Sequence, residues 1–168
     1  IRDALLDDDA QLRQNAYRAA LWLREYELMP VLLTILEDAA NPNSELASKT
    51  MIHLVDLLVE ELAKPELADA RRDAPLARHG VVAALEQSVR RFVRHKRREV
   101  LEAFLLLAHR DNSLLKEILQ TPYHPAYLVL IEILSTTLHG TVLGLLLSYL
   151  DDPKAPSAVL TLMARRCD

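Results

Sequence analysis

The residues with the clearest chemical potential form a cationic run from Arg90 to Arg98. Its guanidinium groups belong to Arg90, Arg91, Arg94, Arg97 and Arg98, with His95 and Lys96 between them. On one continuous helix these arginines would occupy two adjacent stripes, because residues three or four positions apart are neighbours on a helix surface. Guanidinium groups at that spacing bind phosphates or carboxylates through paired N–H donors. The run is therefore a candidate surface for an anionic partner.

Nucleic acid is the weaker choice for that partner. A nucleic-acid site needs accessible aromatic or polar groups beside its cations and a basic domain around them. Phe92 belongs to the apolar side of its helix, and the chain has a net charge of −4 and a pI of about 5.9. The favoured interpretation is a solvated turn whose arginines pair with Glu86, Glu99 and Glu102. A protein or acidic-peptide partner ranks second, and nucleic acid third.

Catalytic and metal-binding patterns are missing from the sequence. No two of the six histidines have the helical spacing of metal ligands with a carboxylate between them. No serine is framed by glycines, and the three glycines form no phosphate-binding loop. The single cysteine, Cys167, lies beside Arg165 and Arg166 but belongs to no catalytic motif. We therefore expect a non-enzymatic protein with no catalytic residues, no metal site and no cofactor.

Two aromatic residues are further candidates for partner binding. Trp22 and Tyr26 lie near the end of the first full helix, with Tyr17 a turn earlier. Tryptophan and tyrosine are enriched at the energetic centres of protein interfaces. The alternative, which we favour, is that these side chains pack between helices.

Hydrophobic periodicity predicts that helices position all of these residues. Apolar side chains recur at helical spacing along most of the chain, and no segment alternates as a strand does. We expect Asp8 or Asp9, Asn43 or Ser44, and Asn112 or Ser113 to cap helices, with Pro30 in a first turn. The predicted helices cover 9–25, 30–40, 43–64, 81–95, 97–107, 114–120, 126–135, 140–150 and 156–165. Residues 65–79 are predicted to form a loop, and His95-Lys96 a tight turn.

Three segments resemble HEAT-like repeats. The first helix of such a repeat is similar to Leu6-x-Asp8-x-x-x-Leu12-Arg13-x-x-Ala16-x-x-Ala19-Ala20. The second helix is similar to Met29-Pro30-Val31-Leu32-Leu33-x-Ile35-Leu36-x-Asp38. The junction between repeats is similar to Leu147-x-x-Leu150-Asp151-Asp152-Pro153-x-Ala155-x-x-Ala158. A leucine-rich run that ends in an acidic or polar turn recurs about every 30 to 40 residues, the period of stacked helical hairpins.

The resemblance implies an all-α fold, a right-handed α-solenoid of antiparallel helical hairpins that is irregular in the middle. We expect residues 1–168 to form one such domain, a fragment of a longer repeat protein. HEAT-like solenoids mostly serve as scaffolds, so the expected function is non-catalytic protein binding, with nucleic-acid or phosphate binding through Arg90 to Arg98 as the alternative. The expected partners are another protein or the rest of the parent chain, with self-association through exposed terminal helices as a further option.

The expected compartment follows from what the sequence lacks. No apolar run approaches the ~18 residues of a membrane span, so we expect no membrane partner. One cysteine cannot form an internal disulfide, which suits a reducing compartment. We therefore expect a cytoplasmic location.

Overall fold

The computed structural model describes residues 1–64 and 73–166, and in these residues helices are joined by short connections without any strand. The all-α prediction is confirmed for this part of the chain. Its α-helices are α1 (Ala10–Trp22), α2 (Met29–Glu37), α3 (Ser44–Ala63), α4 (Ala74–Arg90), α5 (Phe92–His95), α6 (Arg98–Leu107), α7 (Ser113–Gln120), α8 (Tyr127–Thr136), α9 (Gly140–Leu147) and α10 (Ser157–Arg166). Short 3-10 helices cover Asp3–Leu6 and Tyr26–Leu28.

Helices α1 and α7 begin where the sequence predicts a cap. The Asp9 carboxylate accepts hydrogen bonds from the amides of Gln11 and Leu12 at the start of α1, and Asn112 accepts one from Leu115 at the start of α7. In both residues a side-chain oxygen accepts hydrogen bonds from amides of the first turn, which have no carbonyl partner within the helix. The start of α3 differs from the prediction. Asn43 makes no side-chain capping bond there, and the Ser44 hydroxyl donates to the carbonyl of Leu36.

The predicted loop over 65–79 is wrong at its C-terminal end, because α4 already begins at Ala74. The Asp73 carboxylate caps this start by accepting from the Leu76 amide at 3.0 Å. A proline in the first helical turn is compatible with the helix, because that position needs no amide donor. Residues 65–72 and Cys167 lie outside the described residues.

The predicted break at His95-Lys96 is confirmed. Helix α5 ends at His95 and α6 begins at Arg98. Lys96 has a φ of 52°, in the left-handed region that interrupts a right-handed helix. A second break, which the sequence did not predict, separates α4 from α5 at Arg91.

The chain divides into two compact units, Ile1–His95 and Lys96–Asp168. In the first unit α2 packs against α3 and α4, and α1 packs against α3. Its core includes the fully buried side chains of Leu32, Leu36, Leu54, Leu58 and Leu85. In the second unit α6 packs against α8 and α9, while α10 packs against α7 and α8.

Among the described residues, no single helix combines the length and the apolar character needed to cross a membrane. Helices α8 and α9 meet that requirement by length and composition when they are taken as a pair. The two are bent by 107° where they join.

Candidate functional site

An open groove lies in the first unit, between the turn that follows α1 and the N-terminal half of α4. Its volume is about 620 Å³, within the range of concave sites that bind ligands. Its larger apolar lining residues are Leu23, Tyr26, Pro30, Leu76 and Val81. Its charged and titratable lining residues, apart from the tyrosine, are Arg24, Glu25, Glu27, Asp73 and His79.

The apolar lining includes two leucines that remain in solvent. Leu76, on the α4 side, is 67% exposed, and Leu23, on the α1 side, is 40% exposed. Tyr26 and Val81 are buried beneath them. Single exposed leucines are ordinary on protein surfaces, but these two border the same concavity. The groove can therefore accept apolar side chains.

The turn on the α1 side is fixed by backbone hydrogen bonds. The Glu25 amide donates to the carbonyl of Ala20, and the Arg24 amide donates to that of Leu21. These two bonds define a Schellman motif, in which the residue after the helix cap adopts the left-handed conformation. That residue is usually glycine, yet here it is Arg24, with a φ of 51°. Leu23, Glu25 and Tyr26 are consequently held in fixed positions along the groove.

An ion pair holds the Arg24 side chain. Its guanidinium donates to a carboxylate oxygen of Glu61 on α3, and Glu61 is only 2% exposed. The hydrogen bond to Glu61 raises the pKa of Arg24 above its ordinary value, against the opposing effect of burial. Because Glu61 compensates Arg24, the charges that the described lining residues present are mainly the carboxylates of Glu25, Glu27 and Asp73.

The structure distributes the predicted basic run over three helices and two units. Helix α4 ends at Arg90 and α5 ends at His95, so the two expected arginine stripes do not form on a single helix. Arg90 and Arg94 are exposed, and Arg97 is partly exposed. The run is thus a set of separate side chains at helix ends, and its binding of a partner stays a prediction.

Two arginines of the run are paired with carboxylates. Arg91 donates to both oxygens of Glu37, at 2.9 and 2.8 Å. Arg98 donates to Glu102 at 2.8 Å and to Glu132 at 2.6 Å. The predicted partner Glu102 is correct for Arg98. Glu37 and Glu132 were missed because they lie far from the run in sequence.

Glu37 is the acceptor in a small polar network. Burial acts to raise its pKa, but hydrogen bonds from Arg91 and Ser88, with the charges of Arg91 and His95, outweigh burial and lower it. Ser88 is fully buried, and Nε2 of His95 lies 3.0 Å from the Ser88 carbonyl oxygen. The same Nε2 lies 3.4 Å from the Ser88 hydroxyl oxygen. The network joins helix ends.

The candidate aromatic residues differ in exposure. Trp22, the last residue of α1, is 86% exposed. Tyr26 is buried in the following 3-10 helix rather than on α1, and Tyr17 is buried as well. The prediction of a helix that continues to Glu25 is therefore wrong. The left-handed conformation of Arg24 ends α1 early and directs Tyr26 beneath the groove.

Most of the groove was missed by sequence reasoning. Asp73 and Leu76 lie where a loop was predicted, and Glu25 and Glu27 were assigned no role. The sequence does contain a usable signal, because Asp73 followed by Pro75 and an apolar run is typical of a helix start. No signal in the sequence places that helix against the turn after α1. Such a contact arises from tertiary packing.

The described residues contain no group of three or more His, Cys, Asp or Glu side chains that could hold a metal ion. The three carboxylates of the groove are therefore better described as an electrostatic feature than as a ligand set. Comparisons with protein-family models, with curated proteins and with solved structures find no match.

Proposed function

We propose that this chain is a non-catalytic protein-binding module and that the groove of the first unit holds a segment of its partner. The observation that carries the proposal is the pair of exposed leucines, Leu23 and Leu76, on the two sides of one concavity. The partner is another protein or a further part of the same parent chain.

The size of the apolar surface indicates what else a partner must contribute. Full burial of a leucine is worth roughly 1.5–3 kcal/mol, so covering the exposed parts of both leucines contributes about 2–3 kcal/mol. A micromolar complex requires about 8 kcal/mol. The remainder has to come from backbone hydrogen bonds and from charge. A binding segment several residues long is therefore required, rather than one inserted side chain.

We further propose that the helices of the first unit are HEAT-like hairpins. Helix α1 packs against α3, α2 packs against α4, and α2 also packs against α3. Contacts between alternate helices are what stacked hairpins make, because each hairpin has an apolar face that its neighbour must cover. This arrangement supports a scaffold role, since stacked hairpins present binding surfaces between their helices.

Self-association is a further proposal, and it rests on apolar side chains near both ends of the chain. Leu6 is 61% exposed and Leu160 on α10 is 46% exposed. Analytical ultracentrifugation over a range of protein concentrations tests this proposal. The sedimentation coefficient should rise with concentration for the native chain and rise less for Leu6→Ser/Leu160→Ser. A value that does not change with concentration would rule self-association out.

Nucleic-acid binding through Arg90 to Arg98 is supported less well. Arg91 and Arg98 already donate to carboxylates, so a phosphate bound by these two arginines would have to displace Glu37, Glu102 or Glu132. No observation favours that exchange, and the groove is the better candidate.

A peptide-display selection tests the protein-binding proposal. A random library is selected against the full chain after depletion on the Gly80→Trp variant. Gly80 lines the groove, and a Cβ added there has open space around it, so tryptophan at this position is chosen to occupy the groove. Gly144 on α9 has similar open space, which makes Gly144→Trp the matched control.

The proposal expects enriched peptides that bind the native chain and Gly144→Trp alike and lose at least tenfold in affinity for Gly80→Trp. Peptides that bind all three proteins equally would contradict it. A selection that enriches no peptide would contradict it as well.

A further inference from the structure

We infer that the groove selects its partner segment by charge, taking apolar side chains that are flanked by lysine or arginine. This inference rests on the function proposed above and adds the chemistry of the partner. It follows from the arrangement of carboxylates around the apolar lining.

Acidic side chains occur on both sides of the groove. Glu25 and Glu27 lie on the α1 side, immediately before and after the buried Tyr26 in the chain. Asp73 lies on the α4 side and is exposed. A segment that binds in the groove therefore has carboxylate-bearing residues on both sides of it.

The cation that lines the groove does not cancel this negative charge. The Arg24 guanidinium is directed to Glu61, which is buried on α3. That pair is close to neutral, so among the described lining residues Glu25, Glu27 and Asp73 remain in excess over His79. Opposite charges across an interface favour association and exclude partners of like charge. An acidic peptide or a phosphate is disfavoured on the same grounds.

The structure also indicates which carboxylates are suitable for a test. Asp73 accepts the hydrogen bond that caps α4, so its replacement would disturb the helix as well as the charge. Glu25 and Glu27 accept no side-chain hydrogen bond of this kind. Reversing both charges with Glu25→Lys/Glu27→Lys therefore tests electrostatics with the least change to the fold. Asp3→Lys/Asp56→Lys makes the same change in net charge at residues that do not line the groove.

The peptides enriched by the selection described above provide the probes. The inference expects an excess of lysine and arginine in them, and it expects their affinity to fall steeply as salt is raised. Glu25→Lys/Glu27→Lys should weaken binding at least tenfold, while Asp3→Lys/Asp56→Lys should change it less than threefold. A synthetic version of the best peptide with each lysine and arginine replaced by glutamate should bind the charge-reversed variant better than the native chain.

The possible failures can be told apart. In the first case, the enriched peptides require an open groove at Gly80 but are neutral or acidic, and charge reversal leaves their affinity unchanged. That result would overturn the charge inference and leave the protein-binding function standing. If no peptide depends on Gly80, the proposed function fails and the charge inference fails with it.

Discussion

Arg24 combines an unfavourable backbone conformation with a favourable side-chain contact. The left-handed conformation costs an L-residue other than glycine about 1–2 kcal/mol, and Arg24 adopts it at the end of α1. The same turn directs its guanidinium to Glu61. Without that cation a carboxylate would remain buried and uncompensated, and the cost of that state exceeds the cost of the turn. The ion pair is therefore the reason that arginine rather than glycine occupies this position.

Replacing Arg24 should reveal both effects. We expect Arg24→Met to lower the free energy of unfolding by about 2–3 kcal/mol. Breaking a fully buried pair costs roughly 3–5 kcal/mol. The expected cost is smaller here because a third of the arginine side chain is exposed. Arg24→Gly should cost about 1 kcal/mol less than Arg24→Met, since glycine adopts the turn freely. Arg18→Met, on the exposed side of α1, is the control for denaturant unfolding and should change little. Equal effects of the methionine and glycine variants would refute the account of the turn.

The Arg91–Glu37 pair predicts a stability that depends on acidity. The pKa of Glu37 is lowered in the folded chain, so the pair contributes fully above the ordinary glutamate pKa of about 4.3. The contribution is lost as the pH falls through the lower, folded pKa. Arg91→Gln should cost about 1–2 kcal/mol at neutral pH, and this difference from the native chain should shrink in acid.

Urea unfolding at a series of pH values measures this difference. Arg94→Gln is the matched control, because Arg94 belongs to the same run and is exposed. It should follow the native chain at every pH. A cost of Arg91→Gln that stays constant down to the most acidic condition would disagree with a role for the Glu37 charge.

At the scale of helices, the features that depend on neighbouring residues were predicted correctly more often than those that depend on residues distant in sequence. Asp9 and Asn112 cap α1 and α7 as predicted, and the chain breaks at His95-Lys96 as predicted. These features depend on a few neighbouring residues. The start of α4 was missed because Pro75 and several charges suggest a loop, and the break at Arg91 was missed because no glycine or proline marks it. Arg91 pairs with Glu37, which is distant in sequence, and a pair at that distance leaves no local pattern.

Replacing the glycines inside helices α4 and α9 should stabilise the chain. Gly80 and Gly144 have no positive φ and have open space around an added Cβ. Alanine at either position should therefore raise the free energy of unfolding by about 0.5–1 kcal/mol, because it reduces the conformational freedom of the unfolded chain. Thermal unfolding of Gly80→Ala and Gly144→Ala measures this effect. A loss of stability in either variant would show that the position does not tolerate a side chain, and would disqualify the corresponding tryptophan variant.

At the scale of the whole molecule, the fold class could be predicted but the site could not. Leucine-rich helical periodicity without alternating segments is sufficient to indicate an all-α protein. The groove depends on the approach of α4 to the turn after α1, a tertiary contact. The sequence instead drew attention to Arg90 to Arg98, where charge is concentrated along the chain. In the structure two of those arginines pair with carboxylates, and the exposed apolar lining of the groove comes from residues with no conspicuous motif.

Amide chemical-shift mapping of the full chain with its best selected peptide tests the central claim most directly. Each residue reports separately, so the groove and the basic run are distinguished in one titration. The account predicts that the largest shift changes fall at residues 23–27 and 73–81, and that Gly80→Trp abolishes them while Gly144→Trp leaves them intact. Shift changes concentrated instead at Arg90 to Arg98, or within α6 to α10, would contradict it.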